Sequence, residues 1–309
     1  MIPARQRVAI VIPYYKIKFF EESLQCLAEQ TDKNFKVYIG DDGSSECPAE
    51  LISRYESQLH ISYKRFDENL GGTSLVSHWH RCLDMMTDEK WVMLLGDDDF
   101  LNPNCVEELL KTIGSSDGTA SVYRFATEVI DERSGDTSGP FKGPDKESCF
   151  EFIERKFLQR ARSSLSEYVF RADLLKARRF RDYPLAWFAD VMAVFEVSEG
   201  RRIEGINSAI VRVTVSSQSI SGSDQHKHLK MLGNIAFCKD ILSRHSKSFS
   251  PKLIKKIVGT CEANLLQSDF YTIKELLYFA KIYAHQHMIL DLLALARRLP
   301  IVLKARKVS

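Results

Sequence analysis

No Cys-x-x-Cys pair, no apolar run of the roughly 18 residues a membrane span needs and no strong net charge occur in this chain of 309 residues. Its seven cysteines are odd in number and scattered, which argues against a disulfide framework or a cysteine zinc site and for a reducing cytoplasm. Met1 to Arg7 lacks the long apolar stretch and small-residue cleavage site of a secretory signal, so none is expected. Internal repeats are missing too. With 44% hydrophobic and 27% charged residues, the composition is that of a globular protein rather than a disordered one.

The net charge of +2 conceals an asymmetry. From Gln225 to Ser309, 15 Lys/Arg stand against 5 Asp/Glu, whereas residues 1–224 hold 28 against 36. An acidic body with a basic tail suggests a cation-using site in one part and an anionic partner near the other, although such imbalances also arise on solvated helix faces. Nothing in the sequence calls for a nucleic-acid partner, and the oligomeric state is left open.

Arg7–Pro13 is a short β-branched apolar run that predicts a buried parallel strand. Strands are also predicted at Phe35–Gly40, Ile61–Phe66, Trp91–Leu95 and Ala120–Ile130, with helices over Phe19–Gln30, Pro48–Ser57, Thr73–Met86 and Cys105–Ile113. This alternation implies an α/β sheet with right-handed crossovers and helices on both faces, whose ligands bind at the carboxyl ends of the strands. The polar segment Asp131–Lys146 reads as a long turn or mobile loop. Beyond Gln225 the pattern is helical. Ser250-Pro251 caps one helix, whose stripe of Leu253, Ile254, Ile257, Val258, Cys261 and Leu265 is flanked by Lys252, Lys255 and Lys256. Thr272 to Glu275 has capping-box spacing and opens a last helix reaching about Leu299. Three parts follow: residues 1–115, residues 116–222 and a basic helical extension (223–309).

The unusual residues sit where these strands end. Asp97-Asp98-Asp99 follows Trp-Val-Met-Leu-Leu; three crowded carboxylates either hold a hard cation such as Mg2+ or Mn2+, or form an acidic turn before the helix near Asn102-Pro103. Asp41-Asp42-Gly43-Ser44 ends another strand and could hold a pyrimidine and its ribose, though Asp-Gly is also a common turn. Pro13-Tyr14-Tyr15 offers rings for stacking on a base, or simply core and rim. In Asn69-Leu70-Gly71-Gly72-Thr73, backbone N–H groups of residues such as Asn69 and Gly71 could approach a ribose or phosphate. That loop is no P-loop, because the Gly-Lys-Ser/Thr ending is missing. His78-Trp79-His80 and His226-Lys227-His228 have i, i+2 spacing, which on a helix points to opposite sides and does not suit a shared metal.

Taken together, Ile-Val-Ile-Pro-Tyr-Tyr-Lys, Asp-Asp-Gly-Ser, Asn-Leu-Gly-Gly and Leu-Gly-Asp-Asp-Asp-Phe-Leu-Asn-Pro, in this order, resemble the family 2 glycosyltransferases, strongly over residues 7–115 and more weakly to 222. The resemblance implies a GT-A fold and, in most members, inversion at the anomeric centre. It matches Pro13, Tyr14, Asp41 and Asp42 to positions that hold the base and ribose, and Asp97 and Asp98 to the ribose-side and metal-side carboxylates, with Asp99 beside them as a second metal candidate. Tyr15, Asn69 and Gly71 join the nucleotide-sugar residues from their own place at the strand ends. Gly96 departs from the family, many of whose members carry the first acid there, and this leaves the division of labour among the three aspartates open. Asp190, after Pro184-Leu185-Ala186-Trp187, corresponds to the general base, with Ala189 in place of a common glutamate. Arg212 and Ser216–Ser221 resemble a segment that closes over the diphosphate. The implied activity is transfer from a UDP-sugar to an acceptor hydroxyl, with a lipid-linked saccharide as one candidate acceptor, which makes 1–115 the nucleotide- and metal-binding half and 116–222 the acceptor half. The basic helices, with Arg297, Arg298, Lys304, Arg306 and Lys307 clustered at the end, either rest on an anionic membrane surface or pack on the catalytic domain or a second subunit. A nucleotidyltransferase, or a binding protein that has lost catalysis, are the rival readings.

Overall fold

The computed structural model describes residues 8–300 except 217, 218, 221, 224 and 269. Arg7, part of Ser216–Ser221 and the terminal cations Lys304, Arg306 and Lys307 therefore lie outside the described residues. The chain divides into two compact units: one holds residues up to 152 with 162–182 and 189–224, the other 153–161, 183–188 and the chain from 225 on.

The first unit opens with the predicted alternation of β1 (Val8–Tyr14), α1 (Phe20–Ala28), β2 (Phe35–Asp41), α2 (Ala49–Ser53), β3 (Ile61–Arg65), α3 (Leu75–Leu83) and β4 (Trp91–Leu94). Strand β1 lies parallel to both β2 and β4, and β2 is parallel to β3. Because both faces of β1 are covered, its residues are apolar throughout rather than alternating. The register sets Tyr14 beside Asp41, so the carboxyl ends of β1 and β2 finish level. Helix α3 begins where the Ser74 hydroxyl accepts the Ser77 N–H at 3.0 Å.

There follow β5 (Phe100–Leu101), α4 (Cys105–Ser115), β6 (Ala120–Asp131), β7 (Thr137–Phe141), β8 (Lys146–Glu147), α5 (Cys149–Leu158), β9 (Tyr168–Arg171), α6 (Ala172–Arg178), α7 (Ala189–Ser198) and β10 (Arg202–Val215). The ten strands form one mixed sheet in the order β3-β2-β1-β4-β9-β6-β10-β5, with β7 on β6 and β8 on β10. Strand β9 runs against both neighbours. Ile10, Ile12, Val37, Ile39, Met93 and Phe125 lie in its core.

Two expectations change here. Asp131–Lys146 is not one long loop: β7 pairs antiparallel with the far end of β6, and Lys146–Glu147 pairs with β10. All five residues of β7 are exposed, so no apolar face marks it in sequence, and an edge strand tolerates Pro140. The last helix is also two, α10 (Ile273–His285) and α11 (Ile289–Ala296), divided at His287, whose φ of 53° lies in the left-handed region.

The second unit further contains α8 (Lys227–His245) and α9 (Pro251–Gln267). Ser250 and Pro251 start α9 as expected, and all six residues of its apolar stripe are buried. Phe237 stacks with Phe157 and Phe188, at centroid distances of 6.0 and 4.8 Å. Gly233 lets the segment at Pro184–Trp187 pass close by, since a Cβ there would stand 2.7 Å from the Pro184 carbonyl oxygen.

Candidate active site

The acidic turn after β4 is held from three directions. The Asp97 carboxylate accepts the backbone N–H groups of Tyr15 and Lys16 at 2.9 and 2.8 Å, which ties the turn to the end of β1. The Asp99 carboxylate is buried, accepting the Ser166 hydroxyl at 2.5 Å and the Thr214 N–H of β10 at 2.9 Å. Ser166 also accepts the Gly96 N–H at 3.0 Å. Ser23 in α1 donates toward the carbonyls of Asp97 and Asp99. Asp98 is different: no other residue donates to its carboxylate among the described residues, and it lines a cleft with Lys16, Lys18, Phe19, Asp97 and Ser216. A Cβ on Gly96 would stand 3.0 Å from carboxylate oxygens of Asp98 and Asp99, so this turn leaves little room for an acid there.

Burial raises all three carboxyl groups. Asp98 reaches about 8, from burial first and the adjacent Asp99 and Asp97 second. Asp99 rises to about 6, with the Ser166 and Thr214 hydrogen bonds opposing its burial. Asp97 is also raised by burial, against the pull of the two N–H donors. The turn thus disfavours ionisation of all three carboxyl groups, and Asp97 and Asp98 both line the cleft.

That donor set fits a divalent cation of the Mg2+ or Mn2+ kind, which takes one or two carboxylates and completes its sphere with water and substrate phosphates. Among the described residues no three His, Cys, Asp or Glu side chains converge, so the protein alone supplies only part of such a sphere.

The second predicted acidic pair serves the protein itself. Asp41 is fully buried and accepts from Ser44 N, Tyr63 Oη and Arg65 Nη1, each at 2.8 Å. Asp42 accepts the N–H groups of Leu70 and Gly71 at 2.9 and 2.8 Å and is bound by Arg81. Burial lowers the neighbouring His78 to about 4, so its neutral Nδ1 accepts from Arg81 Nε at 3.0 Å. A Cβ on Gly71 would stand 2.5 Å from an Asp42 oxygen, which makes glycine the residue that permits this grip. Asp42 thereby fixes the loop at Asn69–Thr73, in which the Asn69 side chain accepts the Gly72 N–H at 2.7 Å.

The other predicted residues are dispersed. Tyr14 is buried, packed on Phe20 at 4.6 Å with its hydroxyl bound to the Glu46 carbonyl, so its ring is not offered to a ligand. Pro13 is half-buried and Tyr15 exposed. Asp190 stands in the first turn of α7 and accepts from Ser163 at 3.2 Å; Ser163 is in turn 2.8 Å from the Tyr168 hydroxyl, which burial keeps protonated. Arg212 faces Glu128 across 3.5 Å. Neither Asp190 nor Arg212 lines the cleft at Asp98.

Sequence reasoning missed Lys16, Lys18 and Ser166. The two lysines carried a signal, lying two and four residues past the strand end. Ser166 carried none, being 67 residues from Asp99.

Both the sequence and the fold match known glycosyltransferases. The description "Glycosyl transferase family 2" matches residues 9–167, about half of the chain. An uncharacterised glycosyltransferase of Rickettsia prowazekii is 26% identical over 128 residues, covering 41% of this chain and only 38% of that relative. Among solved structures, Staphylococcus aureus TarS (residues 1–349) superposes with a TM-score of 0.64 at 14% identity, covering 97% of this chain and 87% of its own. A TarS structure in complex with UDP-GlcNAc gives 0.59 at 15% identity, covering 95% and 91%. The mannosyltransferase PcManGT of Pyrobaculum calidifontis, in complex with GDP-Man and Mn2+, gives 0.52 at 14% identity, covering 99% and 83%. The fold is accordingly the expected GT-A type, and with its acidic turn, its sheet and its matched residues this chain belongs to glycosyl transferase family 2.

Proposed function

We propose that the protein transfers a sugar from a UDP-sugar to an acceptor hydroxyl with inversion at the anomeric carbon. The observation that carries this reading is Asp98, a raised and uncommitted carboxylate in a lysine-lined cleft beyond the carboxyl ends of β1 and β4. Asp98 would hold the Mn2+ or Mg2+, which when bound offsets the charge growing on the departing diphosphate. Lys16 and Lys18, the latter paired with Glu132, line the same cleft and suit phosphate oxygens. Asp97 and Asp99 keep the turn in place through the contacts described. Asp190 is the proposed base: its carboxylate takes the acceptor's proton as the new C–O bond forms and the bond to the diphosphate breaks, with Ser163 and Tyr168 orienting it.

A lipid-linked saccharide is the acceptor we favour, and seven free cysteines suit a reducing cytoplasm. UDP-GlcNAc, with which TarS forms a complex, is the first to try. The test is donor hydrolysis without acceptor, followed as UDP release across a panel of nucleotide sugars with Mn2+, Mg2+ or EDTA. One or more UDP-sugars should turn over slowly with metal and not in EDTA. Metal-dependent UDP binding with no turnover of any sugar, with or without saccharide acceptors, would establish a binding protein instead.

A further inference from the structure

The charged and apolar residues of the second unit are sorted in a way that sugar transfer does not use. The apolar stripe of α9 is buried, so Lys252, Lys255 and Lys256 do not border a face that can enter a bilayer. The apolar surface left open is on the next two helices. In α11, Ile289, Leu290 and Leu293 are 67%, 81% and 63% exposed, and in α10 Leu277 is 62% exposed.

Cations accompany these side chains at helical spacing. Leu290, Leu293 and Arg297 follow at i, i+3 and i+7; Lys274, Leu277 and Lys281 follow at i, i+3 and i+7; all are exposed. The acids of the two helices are withdrawn from this surface. Glu275 is paired with Lys239 at 2.8 Å, and Asp291 with Lys255 at 2.7 Å. Each of the two helices therefore carries exposed leucine together with exposed cations.

We propose that the α10–α11 hairpin is a membrane-docking surface that lays Leu290 and Leu293 into the interface of an anionic bilayer, with Arg297, Arg298 and Lys281 against the headgroups. Apolar side chains rimmed by Lys and Arg are what such an interface binds. A second copy of the chain is a poorer occupant, because pairing like faces would bring these cations together. The inference rests on the proposed transfer reaction only for its purpose, which is to bring the site to a lipid-linked acceptor.

The test is co-sedimentation of the full chain with phosphatidylcholine vesicles and with vesicles that also contain phosphatidylserine. Wild type should pellet with the anionic vesicles alone, and release as salt rises. Leu290→Ser with Leu293→Ser should weaken binding at least tenfold. Arg297→Gln with Arg298→Gln should weaken it by about fivefold for each charge. The exposed positions leave the fold intact, which thermal unfolding checks. Equal pelleting with both vesicles, none with either, or unchanged binding by the leucine variant overturns the proposal. So does a concentration-dependent dimer that the leucine variant abolishes. Donor hydrolysis in solution needs no membrane, so its failure is separate from failure of the vesicle assay.

Discussion

Replacing Asp98 by asparagine should make the metal-free protein more stable, and increasingly so as pH rises. The substitution keeps the size of the side chain and removes its charge. Burial, then Asp99 and Asp97, raises the Asp98 carboxyl from 3.8 to about 8 in the native protein. In the unfolded chain it ionises near its ordinary value of about 4. Below that pH both states hold the proton, and the variant gains little. Between the two values the unfolded state has lost its proton while the native state keeps it, so wild type loses stability with each unit of pH; above about 8 the loss levels off. At about 1.4 kcal/mol per unit, the whole shift sets a ceiling of about 5–6 kcal/mol. Lys16 and the water reaching the cleft reduce this, and about 2 kcal/mol is the expected gain at high pH. Urea unfolding in EDTA near pH 5 and near pH 8 measures it. An asparagine variant that is less stable at the higher pH, or a gap that does not widen, would refute the account of Asp98 as an uncompensated charge. Adding Mn2+ with UDP should reverse the order, because a ligand at about 100 times its Kd adds about 2.7 kcal/mol to wild type and little to the variant.

Asp190→Asn should keep UDP affinity and lower the transfer rate about 10²-fold or more, whereas Asp182→Asn should transfer near the wild-type rate; the reverse pattern moves the base to Asp182. Ser166→Ala removes a hydroxyl that donates to Asp99 and accepts from Gly96, and should cost about 1–3 kcal/mol in urea unfolding; no measurable cost would mean that water replaces the hydroxyl. Gly71→Ala puts a Cβ 2.5 Å from an Asp42 oxygen and should cost about 1–3 kcal/mol, with weaker UDP binding if this loop borders the nucleotide; an unchanged melting temperature would contradict the close approach.

Much of the fold was legible because one physical rule governs each readable segment. The apolar runs of β1, β2 and β4 reflect strands covered on both faces, and the N-caps at Ser250 and Thr272 mark real helix starts. β7 was illegible because it buries no face, and the break at His287 because no glycine or proline announces a left-handed residue there. In the site, the acids could be found but not their employment. Asp41, Asp42, Asp97 and Asp99 read alike in sequence, and only the third dimension shows Arg65, Arg81, backbone N–H groups and Ser166 meeting them. Tyr14 was misleading for the same reason. An aromatic at a strand end fits a base-stacking role, yet β1 is covered on both faces and this ring packs on Phe20.

The hydrogen bond from Thr214 to Asp99 spans 115 residues of chain, and it has a consequence for biosynthesis. Until β10 has left the ribosome, the carboxylate destined for burial has no backbone donor from that strand. At about 5–20 residues per second, the interval between synthesis of the two positions is on the order of 10 s. During that time the early strands can pair locally while the acidic turn stays hydrated and incomplete, since long-range sheet contacts form late. Truncated chains that end before residue 202 should therefore acquire secondary structure without the buried form of Asp99, and a nascent polypeptide should complete its acidic turn only after β10 has been made.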